Sequence, residues 1–274
     1  MVVGKGEKGI SFEEIKSVCE LNCFIEENKY EHDCFFHYTS AEAFRKIYEG
    51  KNIWLSDIAK SNDLIEKDHI MAEWKNPARK TISFSLGFSA PITQIDSIPM
   101  WYLYTKGKGV ALKLDAHMIK MLVEESSVAI VDTKTSTKLV DLKKDDANLT
   151  IRDVVYYHHG DNNSTVDLFW HGKENHLIKY DEFKQYRIDN IFFFKDSSWR
   201  SEEEVRIIGE IDKKLIDESM TDIAISLTLP SNTFTEGSVI MGPESDDDML
   251  YMQSHISCIT YSSVRGKVRI NNRM

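Results

Sequence analysis

Apolar positions along the chain fall in short runs of two kinds. "CFFHYT", "NIWLSD", "RKTISFSLGFS", "SSVAIVDT", "DVVYYHH", "EEVRIIGEI" and "SVIMGP" are brief and rich in β-branched or aromatic residues, which predicts strands. "SFEEIKSVCELNCFIEEN", "SAEAFRKIYE", "LIEKDHIMAEW", "HMIKMLVEE", "HLIKYDEFKQYRIDNIFFF" and "SDDDMLYMQSHI" carry the periodicity of amphipathic helices. The first helix has a capping box, with Ser11 as N-cap and Glu14 three residues on. In the second, Thr39 is the expected cap, Glu42 closes the box and Gly50 is the natural stop. "MWYLYTKGKGVALKLD" predicts a further β segment broken by Gly107 and Gly109, because aromatics favour strands. The acidic stretch between "SSVAIVDT" and "DVVYYHH" reads as loop, and "CITYSSVRGKVRI" as a closing strand.

Short strands with interspersed helices, in no regular βαβ alternation, predict an α+β fold with a split or antiparallel sheet core. No repeat and no proline-rich linker interrupts the chain, so a single domain over 1–274 is expected, with residues 1–30 as an N-terminal helical extension.

At 274 residues and 42% hydrophobic content the chain can fill a sizeable core. No apolar run reaches the roughly 18 residues of a membrane span, and the N-terminus lacks the apolar middle of a secretory signal, so a cytoplasmic protein is expected. Cys19, Cys23, Cys34 and Cys258 show no paired CxxC spacing and read as reduced thiols, mostly core. A formal net charge of −10 argues against a surface-wide grip on nucleic acid. Arg265, Lys267 and Arg269 would nevertheless share one strand face, as a local basic groove or as charges that discourage edge pairing. "GKGEKG" matches GxGxxG, but no strand precedes it and it is set aside. The histidines lack the companion spacing of a zinc site, so no metal is expected.

Three clusters could carry chemistry. His37 follows Phe35 and Phe36 on a strand; alone it reads as a hydrogen-bonded core residue. "SFS" at 83–85 precedes Trp101, Tyr102 and Tyr104, which read as sheet packing or as the stacking wall of a flat ligand lying over Gly107 and Gly109. In "FFFKDSSWRSEEEVRIIGE", period two puts Glu202, Glu204 and Arg206 on one face, beside Lys195 and Trp199.

Taken in order, "FHYTS…IYEGKNIWLSDIAKSNDLIE", "SFS…MWYLYTKGKGVALKLD", "FKDSSWRSEEEVRII" and "VIMGP" resemble the pattern of a widespread bacterial family of uncharacterised proteins, over roughly Phe35 to Pro243. That family is in turn distantly similar to the ADP-ribosyltransferase fold. The resemblance implies a split antiparallel sheet with flanking helices, NAD as co-substrate, and a catalytic set of His37, Tyr104 and Glu204, with Tyr102 as the alternative middle aromatic. It further implies NAD contacts from Tyr38, Thr39, Ser40, Trp54, Asn62, Ser83 and Tyr102, and acceptor contacts from Glu202 and Arg206. Tyr38 stands where many relatives carry glycine.

Those residue types suit the chemistry. Cleaving the glycosidic bond of NAD leaves an oxocarbenium-like ribose, which a carboxylate such as Glu204 stabilises. An aromatic face attracts the cationic pyridinium, and His37 can fix the ribose. The expected function is therefore NAD-dependent ADP-ribosyl transfer to nucleic acid or protein, in a toxin or antiphage effector that a neutralising antitoxin could hold in check. The rivals are an NAD glycohydrolase and a noncatalytic nucleotide-binding or partner-binding module.

Overall fold

A computed structural model describes residues 10–29, 32–57, 78–86, 97–159, 164–217, 220–244, 256 and 259–261. "GKGEKG", the helices "LIEKDHIMAEW" and "SDDDMLYMQSHI" almost entirely, Asn62 with Asp63 and Glu66, Cys258, and the Arg265, Lys267, Arg269 stripe lie outside the described residues. Among the described residues no helix is long and apolar enough to cross a membrane. The fold is mixed α+β, and the chain divides into two compact units, Tyr30–Ile151 with Glu204–Met274, and Met1–Lys29 with Arg152–Glu203.

In chain order the strands are β1 (Cys34–Thr39), β2 (Asn52–Leu55), β3 (Arg79–Leu86), β4 (Val110–Asp115), β5 (Val128–Asp132), β6 (Lys138–Leu142), β7 (Ala147–Asp153), β8 (Val155–His159), β9 (Thr165–Trp170), β10 (Lys173–Lys179), β11 (Phe194–Asp196), β12 (Glu204–Ile211), β13 (Ile223–Thr228), β14 (Val239–Met241) and β15 (Ile259–Tyr261). The larger unit holds a seven-stranded sheet, ordered β15-β14-β4-β1-β3-β12-β7, and a four-stranded sheet, ordered β2-β13-β5-β6. Alternation decides what each face buries. Phe35 on β1, Leu112 and Leu114 on β4, Ile82 and Phe84 on β3, and Val205 and Ile207 on β12 share one face of the large sheet and enter the main core. Ile53, Leu55, Ile130, Ile225 and Leu227 of the smaller sheet join them, as do Phe44 and Ile47 of the helix Ala41–Gly50 and Met118, Ile119 and Leu122 of the helix Ala116–Glu124. Each such side chain contributes about 1.5–3 kcal/mol by leaving water.

The other face carries a smaller cluster. Phe36, Tyr38, Ala111 and Ile240 pack under Met100 and Trp101 of the helix Ile98–Thr105. Trp101 is fully buried and meets the Tyr38 ring edge-on at 4.9 Å. The expected β segment at 101–104 is thus a helix. Pro99 in its first turn sets a helical φ, Lys106 stops it at φ +55, and burying Trp101 over the sheet outweighs the strand preference of its aromatics.

In the smaller unit β10-β9-β8-β11 form a sheet around Phe12, Phe24, Leu168, Trp170, Phe183 and Phe194. β9 and β10 are joined by His171 and Gly172, both at positive φ (46° and 75°), the conformation a two-residue hairpin needs. The buried Asn175 amide donates to the Phe12 and Ile15 carbonyls at 2.9 and 2.8 Å and so ties the N-terminal segment to β10.

Other local expectations need correction. The single N-terminal helix is two pieces, a 3-10 turn Phe12–Glu14 whose capping box is the expected Ser11 and Glu14, and a helix Val18–Asn28 capped by Ser17. Ser40, not Thr39, caps the helix Ala41–Gly50, accepting from the Ala43 N–H at 3.1 Å. "HLIK" belongs to β10, leaving the helix Tyr180–Asp189, and the acidic stretch after β5 contains β6 and β7. Cys19 and Cys23 are exposed and Cys34 is half-buried, so none of the three is a core thiol.

Candidate active site

The large sheet brings the sequence-distant candidates onto neighbouring strands. Phe36 on β1 pairs with Ser85 on β3, which pairs with Glu204 on β12, and Ser83 pairs with Arg206. Glu204 and Arg206 are two apart on one strand, so both stand on the face opposite the main core, beside Ser83 and Ser85. Arg206 donates from Nε to Glu204 Oε1 at 2.7 Å and from Nη2 to Oε2 at 2.9 Å. Both side chains are buried, and this two-point pairing fixes the carboxylate and keeps a positive charge beside it. Further along the same two strands Arg79 donates to Glu210 at 2.8 Å, which continues a polar row across β3 and β12.

β1 pairs with β4 along its full length, and β3 pairs with β12 likewise, but β1 and β3 share only the register pairs Phe35 with Leu86 and Phe36 with Ser85. Beyond Phe36 the described residues of β1 and β3 form a fork. His37 stands in it. Its Nδ1–H donates to the Ser83 carbonyl at 3.1 Å, and its ring lies 5.8 Å from that of Phe84. Because a carbonyl only accepts, Nδ1 carries the proton and Nε2 carries a lone pair in the neutral ring. Burial lowers the His37 pKa from its ordinary value, outweighing the opposite effect of the Ser83 bond, and so favours this neutral form.

Alternation places His37 with Phe35 on the core side of β1, whereas Glu204 stands on the other face. The sheet therefore brings the two backbones within about two strand spacings, roughly 10 Å, but on opposite sides of the pleat. Tyr38 falls on the Glu204 face, where its hydroxyl accepts from the Ser97 N–H at 3.0 Å. Tyr102 and Tyr104 ride on the helix Ile98–Thr105 rather than on a strand. Tyr102 donates to Glu244 at 2.7 Å, a bond that raises its pKa, and Tyr104 is exposed. Trp54 lies apart, on the smaller sheet, half-buried and pointing away from the Ile53 and Leu55 side. Thr39 ends β1 opposite Val110, and Ser40 is spent on the helix cap.

Gly107, Gly109 and Gly242 stand where the backbone is closely approached. A side chain on Gly109 would begin 2.5 Å from the Thr39 carbonyl, and one on Gly242 2.6 Å from the Gly107 carbonyl. The close approach permits the backbone bonds Gly242 N–H to Gly109 O at 2.9 Å and Glu244 N–H to Gly107 O at 2.8 Å.

The expected Glu202, Glu204, Arg206 row is broken. Glu202 ends the 3-10 helix Ser197–Glu202, Glu203 takes a left-handed φ of 44°, and β12 begins only at Glu204. Within the smaller unit Glu202 is buried and accepts from Lys195 Nζ at 2.6 Å, while that ammonium lies 4.8 Å from the Trp199 ring centre. The "SFS" cluster of the sequence contributes both its serines to the polar row, since alternation puts Ser83 and Ser85 on one face, although only Ser83 was expected to contact NAD.

The family described as a protein of unknown function (DUF2971) matches residues 100–207. The match takes in Tyr102, Tyr104, Glu202, Glu204 and Arg206 but not His37. No curated protein and no solved structure gives a significant match.

Proposed function

We propose that the chain is an NAD-dependent ADP-ribosyltransferase whose reaction is centred on Glu204. The observation that carries this reading is the buried Glu204 carboxylate, held at two points by Arg206 next to the β1 and β3 fork. A fixed anion in a low-dielectric setting is what a developing oxocarbenium ion needs. The short join between β1 and β3 supports reading the large sheet as the split sheet of that fold. At the fork His37 Nε2, a neutral acceptor, would take a hydrogen bond from a ribose hydroxyl, and Tyr102 or Tyr104 would wall the nicotinamide. His37 would act from the rim, since its strand position faces away from Glu204. The acceptor would be a nucleic acid or a protein in the cytoplasm, as for a toxin or antiphage effector.

The engagement of both Glu204 oxygens by Arg206 favours a second reading, a nucleotide-binding module without turnover. Nicotinamide release from NAD separates the two. Wild type is incubated alone and with RNA, DNA or cell extract, beside a Glu204→Gln variant whose folding is checked by circular dichroism. Release by wild type only, increased by one added pool, is the expected result, and release without any pool indicates the glycohydrolase. NAD binding without release in every pool would refute transfer.

A further inference from the structure

Cysteine is among the most buried residue types, yet Cys19 and Cys23 are both exposed. They sit one turn apart on the helix Val18–Asn28, which buries Leu21, Phe24 and Ile25. At about 100° per residue the two cysteines stand about 40° apart on the side opposite that buried stripe. Packing therefore gives no reason for either thiol. Asn22, between them, accepts from the Tyr186 hydroxyl at 2.9 Å, and the Glu20 carboxylate accepts from the Lys16 N–H at 2.7 Å. Glu27 is exposed one turn beyond Cys23.

We propose that Cys19 and Cys23 form a two-sulfur clamp for a thiophilic metal or metalloid ion. Geometry selects chelation over a disulfide. Side chains four apart on a helix have Cβ atoms about 5–6 Å apart, whereas a disulfide needs about 3.8 Å, so direct oxidation would have to unwind the turn. Two metal–sulfur bonds of about 2.3 Å at a tetrahedral angle put the sulfurs roughly 3.7 Å apart, within reach from Cβ atoms at the helical spacing. A divalent cation displaces one proton from each thiol, and water completes its coordination. A trivalent arsenical needs only the two sulfurs: phenylarsine oxide forms two As–S bonds, and its oxygen leaves as water with the two thiol protons.

The test uses the full-length reduced protein, treated with phenylarsine oxide or with Cd²⁺ and washed with a monothiol that strips single-sulfur adducts. N-ethylmaleimide then labels the accessible thiols, and peptide mass spectrometry locates them. Labelling of Cys19 and Cys23 is expected to fall to background together, and to return in full at the remaining thiol of Cys19→Ser or Cys23→Ser. Protection by both reagents, or by Cd²⁺ alone, supports a cation site, and protection by the arsenical alone supports a metalloid site. Protection by neither, or protection that persists in the single variants, overturns the clamp.

Discussion

Arg206→Met offers the sharpest test of the polar row on β12. The substitution keeps much of the side-chain length but removes both hydrogen bonds to Glu204, leaving a buried carboxylate without that guanidinium. Breaking a buried pair on one side costs about 3–5 kcal/mol, which in a chain of this size lowers Tm by roughly 6–20 °C. Removing both partners, as Arg206→Met with Glu204→Leu, should recover most of the loss. Urea unfolding followed by tryptophan fluorescence measures both variants against wild type. A loss below about 1 kcal/mol for Arg206→Met, or no recovery in the double variant, would refute the reasoning.

Two further outcomes are expected. Because the His37 pKa lies below its ordinary 6.5 in the folded state, the unfolded chain takes up a proton that the folded chain refuses. Stability attributable to His37 should thus fall as pH drops through about 6.5 toward the folded pKa, and His37→Gln should flatten the urea midpoint between pH 7.5 and pH 5; an unchanged slope would contradict it. Gly109→Ala should destabilise by more than Gly237→Ala, although both glycines have positive φ, because only residue 109 meets backbone, the Thr39 carbonyl at 2.5 Å. Calorimetry should show about 1 kcal/mol of strain for Gly237→Ala and a clearly larger loss for Gly109→Ala.

How far the sequence foretold these features depended on whether a local signal and the tertiary setting agreed. β1, β2, β3, β12 and β14 were legible as short runs rich in β-branched or aromatic residues, which are the residues that the sheets bury there. Helix Ile98–Thr105 was not, since Trp101, Tyr102 and Tyr104 look strand-like until Trp101 finds its place over Tyr38. β6 was lost because an edge strand with exposed Lys138, Leu139 and Asp141 carries almost no apolar pattern. β13 went unread because "IAISLT" is buried from Ile223 to Leu227, Ser226 included; a strand between two neighbours is buried on both faces and shows no period to count. In the candidate site, period two correctly joined Glu204 to Arg206, but Glu202 fell outside because the left-handed Glu203 is a backbone event with no residue signature.

The smaller unit is assembled from two stretches of chain separated by a long excursion, and synthesis meets them in that order. Phe12, Leu21, Phe24 and Ile25 emerge first, but their partners begin only at Val155, roughly 130 residues later. At a translation rate of about 5–20 residues per second, the N-terminal segment waits on the order of ten seconds with its apolar stripe in water. The Asn175 amide that captures the Phe12 and Ile15 carbonyls arrives later still. During that interval the nascent segment is a natural client for a holdase chaperone, and slowing translation between residues 29 and 152 would lengthen its exposure.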